Sequence, residues 1–287
     1  MKRSILYFTA WLFLLIGCSP TLDFDQEDYQ KKIIVEGWIE NGQHPVVLLS
    51  WNGPFFDPID STSLVNRSLR WARVTVSDGT DSEILMGRYN SLSYFPYFSY
   101  RADTIIGEVG KKYYLKVEYN GIVITSETTI PAPIPLKDIY CSGVDKDSVN
   151  SSLRQLNIKF NHVATENVNY RLSTKISGIN DRYITAMNNI NAKYLPEGTI
   201  DMPVMKGIDK LSMDRIALYF LRTQTVSVKF CTMDSATSVF WKSFTNESLG
   251  DMNMFTGSAT KIKSNVSPPG IGIWGGYGTY TSTIVIH

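Results

Sequence analysis

The sequence has few of the residues from which metal sites and catalytic triads are built. Of its 287 residues only three are histidines and three are cysteines. His44, His162 and His287 lie far apart, without carboxylate or cysteine partners at ligand spacing. We therefore expect no metal, no cofactor and no serine–histidine triad, and we interpret the histidines as ordinary surface or loop residues.

The chain also lacks an excess of charge and a second long apolar segment. It has 28 basic and 27 acidic residues, for a formal net charge of +1. This balance provides no basic surface for nucleic acid, so no nucleic-acid partner is expected. No apolar run after residue 17 approaches the length of a transmembrane helix.

The one apolar run that is present lies at the N-terminus. Lys2 and Arg3 precede residues 4–17, a stretch too short to span a bilayer as a stable helix. It ends in Leu-Ile-Gly-Cys at residues 15–18, which resembles the bacterial lipobox. We predict that residues 1–17 are a removed signal peptide and that Cys18 carries a lipid anchor. An ordinary secretory signal is the alternative.

An acidic tether, residues 18–31, follows the anchor. Its acidic residues are Asp23, Asp25, Glu27 and Asp28, and no basic residue occurs before Lys31. The simplest interpretation is a solvated spacer with too few apolar groups to fold. The alternative is a sorting signal, because these residues resemble the export signals that send Bacteroidota lipoproteins to the cell surface.

Aromatic residues are abundant and helical segments are few. The chain has sixteen tyrosines, thirteen phenylalanines and six tryptophans, which favours an all-β fold. We predict two β-sandwich-like domains. Residues 32–132 form an immunoglobulin-like Greek key, and residues 133–287 form a β-rich domain with one short helix. A stiff proline-rich segment, "IPAPIPLKD", joins them.

Hairpin patterns support the first domain. "KKYYLKVEYNGIVITSETTI" alternates apolar and polar residues on both sides of Asn120-Gly121, a pair typical of tight primed turns. Asn41-Gly42 and Asp78-Gly79 indicate two more turns. The acids of "SDGTDSE" (Asp78, Asp81 and Glu83) lack the full calcium-loop pattern and are explained by the hairpin turn.

In the second half, the helix is predicted after Asp234 or Ser235, with Val239, Phe240 and Phe244 on one face. The polar residues 177–210 read as a long functional or mobile loop, with an undetected short strand as the alternative. The terminal "GIGIWGGYG" is no nucleotide-binding fingerprint and is interpreted as a tight bend that packs against aromatics.

Two aromatic stretches are candidates for ligand or partner contact. The first contains Tyr97 and Phe98, and the second contains Trp51, Phe55 and Phe56. Burial in a sandwich core is the alternative and the more common fate of such residues.

Two cysteines remain besides the lipidated one. Cys141 and Cys231 are either a disulfide or two separate buried thiols, and the sequence leaves both alternatives open.

The ordered set of motifs resembles the Bacteroidota outer-membrane lipoprotein family known as domain of unknown function 4249. The matching segments run from the lipobox and "IIVEGWIENGQHPVVLLS" through "TTIPAPIPL" and "VSVKFCTMDSATSVFWKS" to "NVSPPGIGIWGGYG". The resemblance implies an outer-membrane, lipid-anchored protein facing the cell exterior. It also implies a TonB-dependent barrel transporter and its companion lipoprotein as partners. No catalytic residue is carried over from the family.

These observations lead to a hypothesis about function. We expect a non-enzymatic accessory or binding subunit of a TonB-dependent system for uptake of peptides or glycans. The alternatives are a surface hydrolase whose carboxylates come from distant segments, and a purely structural or adhesive module.

Overall fold

Alternation of buried and more exposed side chains produces most of the strands. In β1 (Ile33–Glu40), for example, Ile33, Val35 and Ile39 are buried while the residues between Val35 and Ile39 on the other face are half-buried. The computed structural model describes residues 30–53, 61–90, 97–144, 152–163, 168–207, 218–250 and 262–287. The prediction of an all-β, sandwich-like protein is confirmed.

The first half of the chain forms two facing sheets. Its further strands are β2 (Val46–Trp51), β3 (Arg73–Ser77), β4 (Ser82–Ile84), β5 (Met86–Tyr89), β6 (Phe98–Arg101), β7 (Lys112–Tyr119) and β8 (Ile122–Thr129). One sheet has the order β1-β2-β6-β5 and the other has the order β4-β3-β7-β8. These orders correspond to strands A-B-E-D and C′-C-F-G of an immunoglobulin-like Greek key, as the sequence predicted.

Local chemistry stabilises this sandwich at its turns. Asn120 and Gly121 both have positive φ, 46° and 80°, which a primed two-residue turn requires. Tyr113, near the start of β7, donates its hydroxyl hydrogen to the Ile106 carbonyl at 3.0 Å and accepts from the Glu108 amide at 2.8 Å. This arrangement is the tyrosine corner found in immunoglobulin-like sandwiches.

The second half forms another pair of facing sheets. Its strands are β9 (Leu136–Gly143), β10 (Leu153–His162), β11 (Asn169–Ile176), β12 (Ile184–Asn191), β13 (Gly198–Val204), β14 (Phe220–Leu221), β15 (Thr225–Met233) and β16 (Ile271–Val285). β10 pairs with β9, β13 and β14, whereas β12, β11, β15 and β16 are neighbours in the other sheet. Phe160, Tyr170 and Phe230 are fully buried between the two sheets.

The last strand, β16, belongs to both halves. Its first part pairs in parallel with β1, from Ile34↔Ile271 to Glu40↔Tyr277. Its second part pairs with β15 in antiparallel fashion. One eight-stranded sheet, with the order β12-β11-β15-β16-β1-β2-β6-β5, therefore crosses the predicted boundary at residue 132. That boundary falls between two hydrophobic cores, but Lys31–His287 form one compact unit.

Trp274 of β16 completes the core of the first sandwich. Its side chain is fully buried, and its indole N–H donates to the Tyr113 carbonyl at 3.1 Å. Asn265 pairs with both backbone polar groups of Trp274, at 2.9 Å and 2.7 Å. The C-terminal strand thus supplies the largest buried side chain of the N-terminal core.

The glycine-rich segment is extended strand, so its interpretation as a tight bend was wrong. Its glycines allow close backbone contact instead. A Cβ atom at Gly276 would lie 2.5 Å from the Thr129 carbonyl oxygen, and one at Gly278 would lie 2.2 Å from that of Pro131. Only glycine lets the chain between the two halves pass this close to β16.

Two α-helices occur among the described residues. The sequence did not predict α1 (Ser61–Arg67), and it did predict α2 (Ser235–Gly250). Asp234 caps α2 by accepting a hydrogen bond from the Thr237 amide at 2.8 Å.

The predicted apolar face of α2 was wrong. Phe240 is buried as expected, but Val239 and Phe244 are 42% and 38% exposed, and Trp241 is buried in their place. The helix contacts β16 and β12 through the face that contains Thr237, Phe240 and Trp241.

Residues 177–207 are not a long loop. They contain β12, a 3₁₀ turn (Ala192–Tyr194) and β13, so the alternative of undetected strands is correct. Most side chains of these strands are polar or partly exposed, and the few buried ones include Ile184, Ile190, Ile200 and Val204. The apolar signal was too sparse to mark the strands in the sequence.

Removing the Trp274 ring is expected to destabilise the whole unit. Trp274→Ala leaves a cavity in the first core and removes the indole hydrogen bond to the Tyr113 carbonyl, so we expect a loss of about 3–5 kcal/mol in the free energy of unfolding. Guanidinium denaturation measures this change in the free energy of unfolding. Trp71→Ala is the matched control: Trp71 is 87% exposed, and its removal is expected to change stability by no more than about 0.5 kcal/mol. Equal losses for the two variants would contradict the role of Trp274.

Candidate functional site

A groove crosses the face of the eight-stranded sheet that points away from both cores. Its volume is about 1080 Å³. Neighbouring residues of a strand point to opposite faces of the sheet, so β1 buries Val35 and Ile39 in the core and presents Glu36, Trp38 and Glu40 to the groove. β11 and β15 do the same on the other side of β16. Both halves of the chain therefore contribute to one site.

The lining is rich in charge of both signs. Its basic residues are Arg88, Arg101, Arg171, Lys175, Arg182 and Lys229, and its acidic residues are Glu36, Glu40, Asp103 and Asp181. Most pockets for small molecules are lined mainly by apolar side chains. This groove instead suits a ligand that itself carries charged groups.

One ion pair connects the two halves across the groove floor. The ammonium of Lys229 lies 2.7 Å and 2.8 Å from the carboxylate oxygens of Glu40. The two side chains are only 21% and 13% exposed, and the ammonium also lies 4.8 Å from the centre of the Tyr183 ring. Removal of one partner would leave the other charge poorly solvated, so loss of either side chain is expected to be destabilising.

A second cluster lies where α2 meets the sheet. The guanidinium of Arg171 stacks on the Trp241 ring at 3.7 Å and donates to the Thr185 hydroxyl at 3.0 Å. The Trp241 indole N–H donates to the Tyr277 hydroxyl at 2.8 Å. Burial raises the pKa of Tyr277 to about 12, so this phenol stays neutral and acts only as a hydrogen-bonding group.

Glu36 lies close to this cluster in the groove. Burial raises the pKa of its carboxyl group above the ordinary value of 4.5, and the positive charges of Arg171 and Arg182 oppose the shift only in part. The ionised form of Glu36 is therefore less favourable, relative to the protonated form, than that of a glutamate in water.

The two cysteines are free thiols in different layers of the fold. Cys231 faces the groove, where burial raises its pKa to about 11 and its sulfur lies 3.4 Å from the Thr279 hydroxyl. Cys141 packs against the second core. The two side chains point to separate surroundings, so Cys141 and Cys231 form no disulfide in the part of the chain that the structure describes, which agrees with the alternative of two separate thiols.

Of the predicted aromatic contact residues, the three that the structure describes do not line the groove. Trp51 and Phe98 pack against the first core, which agrees with the alternative of burial. Tyr97 is half-buried with its ring edge-on to Tyr89, at 5.1 Å between ring centres. Phe55 and Phe56 lie outside the described residues, and so do Cys18, Asp23, Asp25, Glu27 and Asp28.

The histidines occupy three different environments. His44 lies at the groove, where its Nδ1 is 2.8 Å from the Ile105 carbonyl oxygen, and His287 is exposed. His162 is 2% exposed and hydrogen-bonds to the Tyr170 hydroxyl at 2.8 Å. Its interpretation as a surface or loop residue was wrong, because its strand position faces the sandwich interior.

The hairpin-turn explanation of "SDGTDSE" is confirmed for Asp78, whereas Glu83 binds the backbone of a distant segment. Asp78 accepts from the Thr80 and Asp81 amides and lies 2.6 Å from the Lys111 ammonium. Burial alone would raise the pKa of Glu83, but backbone donors from residues 103–105 outweigh it and hold that pKa below its ordinary value. Within the described ranges, no group of three histidine, cysteine or acidic residues is arranged to hold a metal ion.

Sequence reasoning did not identify the groove residues. A signal was present in the strands, because Glu36, Arg171 and Lys229 interrupt apolar runs at alternate positions. Charged side chains on one face of a strand whose other face is apolar indicate a lined surface rather than a second core. Nothing in the sequence brings the three together, because they lie on strands far apart in the chain.

The fold and the groove define an all-β protein in which two sandwiches share one sheet and one charged outer face. The chain belongs to the family described as Domain of unknown function (DUF4249), whose model matches residues 20–283. No curated protein matches the sequence. None of the helices in the described part of the chain is long and apolar enough to cross a membrane.

Thiol chemistry tests the placement of the cysteines. In a Cys18→Ser background, the unfolded chain is expected to titrate two thiols with a disulfide-exchange reagent. In the folded protein, Cys141 is expected to react faster than Cys231, because Cys231 is only 4% exposed and has a raised pKa. Absence of thiols in the unreduced, unfolded chain would contradict the structure.

The pH dependence of stability tests Glu36. Because its pKa is raised in the folded protein, the stability associated with protonated Glu36 is present below about pH 4.5 and lost as the pH rises through the raised pKa. Glu36→Gln is therefore expected to unfold at higher urea concentration than the parent at about pH 7, with a smaller difference at about pH 4. Glu127→Gln, on the exposed surface, is the control. A Glu36→Gln variant less stable than the parent at neutral pH would refute the assignment.

Proposed function

We propose that this protein is a lipid-anchored, non-enzymatic binding accessory of a TonB-dependent nutrient-uptake system at the outer membrane. The observation that carries the proposal is the groove across the eight-stranded sheet. The lipobox-like segment ending at Cys18 and the membership of the family support the anchor and the location.

The fixed positions of the charged side chains in the groove favour a binding function. The Glu40–Lys229 ion pair and the stacking of Arg171 on Trp241 hold its charged groups in place before any ligand arrives. A preformed site avoids the entropic cost of ordering side chains on binding. Its volume of about 1080 Å³ suits an extended ligand rather than a single small metabolite.

An acyl anchor would keep the groove, and any ligand bound in it, close to the transporter. Attachment to a membrane confines the protein to the surface that contains the transporter, which raises the effective concentration of captured ligand near the pore. A single acyl chain holds a protein only weakly, so stable attachment needs more than one chain. Lipidation at Cys18, with its diacylglyceryl group, meets that requirement.

A surface hydrolase is the second candidate function, and Glu36 is the observation that favours it. A carboxyl group with a raised pKa in a groove is typical of a general acid. The other acid on the same strand face, Glu40, is paired with Lys229. Glu40 lies four residues from Glu36 along the strand, which places the Cα atoms of these two acids about 13 Å apart. Hydrolysis of a panel of peptides and oligosaccharides by the parent, lost in Glu36→Gln, would favour the hydrolase.

The proposed function predicts capture of a membrane partner. Native protein extracted with mild detergent is expected to co-purify with an outer-membrane barrel transporter and its companion lipoprotein, identified by mass spectrometry. Cys18→Ser is expected to leave the membrane fraction and to lose the partner, because the acyl chains provide the attachment. Recovery of the lipidated protein as a free monomer, with neither partner nor ligand, would refute the proposal.

A further inference from the structure

The charge of the groove lining is not balanced. Among the described residues that line it, six are basic and four are acidic, which leaves a formal charge of +2. The lining contains two ion pairs, Glu40 with Lys229 and Arg88 with Asp103. The charges within each pair cancel, so the excess of +2 remains. A ligand that fits this groove is therefore expected to carry negative charge.

Two of the four aromatic rings in the groove lining have a cation over one face. Arg171 covers a face of Trp241 at 3.7 Å, and Lys229 lies over Tyr183 at 4.8 Å. Tyr277 is only 5% exposed. Binding of a neutral glycan generally uses ring faces that are open to the ligand. Here cations cover faces of Trp241 and Tyr183, and Trp38 packs against the buried cluster that contains Trp241 and Tyr277. The rings hold positive charge in position instead.

Arg171 is a cation held in a fixed orientation at the groove. Its Nη2 donates to Thr185, and its Nε is buried, without a hydrogen-bond partner and out of reach of a ligand. A guanidinium offers five N–H donors in a rigid plane, and it accepts none. Stacking on Trp241 fixes the orientation of that plane at the groove. A carboxylate is the group that a guanidinium binds best, through charge-assisted hydrogen bonds.

The rest of the lining fits a peptide chain better than an acidic polysaccharide. The half-buried ring of Trp38 provides apolar surface for aliphatic side chains, and the buried Val46, Leu48 and Ile184 lie beneath the groove surface. Glu36 and Asp181 provide carboxylate acceptors for amide or ammonium N–H donors. A peptide with acidic residues presents all three kinds of group within one short segment.

We propose that the groove binds peptides rich in carboxylates, with one ligand carboxylate hydrogen-bonded to Arg171 and neighbouring negative charge attracted by Arg182 and Lys175. This inference rests on the proposed function and names the class of ligand that the groove selects. Arg171 would act as the anchor, because it is the oriented member of the three, whereas Arg182 is exposed at the edge of the site.

Peptide retention on the immobilised, full-length lipoprotein in detergent tests the inference. The probe is a pool of short peptides from a casein digest, offered untreated and after methyl esterification of its carboxyl groups, with retained peptides identified by mass spectrometry. Acidic peptides are expected to be enriched. Esterification and Arg171→Gln are each expected to lower retention roughly tenfold or more, because each removes a charged hydrogen-bond pair. Arg222→Gln, an exposed arginine outside the groove, is the matched control and is expected to retain the peptides as the parent does.

Further variants and ligands keep the result decisive. Arg182→Gln removes an exposed side chain, so it is expected to fold as the parent does, and to bind the pool several-fold more weakly if charge attracts the ligand. Equal retention of the esterified and untreated pools would overturn the inference, and so would equal or tighter binding of oligogalacturonates. If a membrane partner co-purifies but acidic peptides are not retained, the ligand class is wrong and the proposed function stands. If neither a partner nor any peptide or glycan binds, the proposed function itself fails.

Discussion

The pairing of the last strand with the first is the interaction on which the rest of the structure depends. β16 adds to the edge of β1 in parallel and continues beside β15, so a single ladder of hydrogen bonds joins the two sandwiches. Trp274, carried on β16, fills the core of the first sandwich. Thr128 strengthens the same joint, since its hydroxyl accepts from the Gly276 amide at 2.7 Å and donates to Asp234 at 2.9 Å.

The groove is a consequence of this joint. Two sandwiches connected only by a linker would each have a separate outer face, but a shared sheet makes these faces continuous. Glu40 and Lys229, which lie on strands separated by β16, can therefore form an ion pair with both side chains mostly buried. Arg171 reaches the same surface from β11 and is oriented by Trp241 of α2. Most of the charged lining residues lie on strands rather than on loops, which suits recognition of a charged ligand without rearrangement.

Local features of the fold could be predicted from the sequence, and long-range ones could not. The hairpin at Asn120-Gly121 and the helix after Asp234 have signals within a few residues, and both are present. The parallel pairing of β1 with β16 joins residues such as Ile34 and Ile271, which are 237 positions apart (271 minus 34). Alternation within a strand says which face is buried, but not which strand lies beside it. The groove was missed for this reason, because its charged residues meet only after β16 has joined the halves.

Hydrogen exchange measured residue by residue tests the central claim, that one shared sheet makes the two halves a single cooperative unit with a preformed groove. The amides of β1, β15 and β16 that bond within the shared sheet are expected to exchange only through global opening, with the same free energy of opening in both halves. Trp274→Ala is expected to lower that free energy in β1 and β15 together. Exchange of β15 at a free energy well below that of β1, or an effect of Trp274→Ala confined to the first sandwich, would contradict the account.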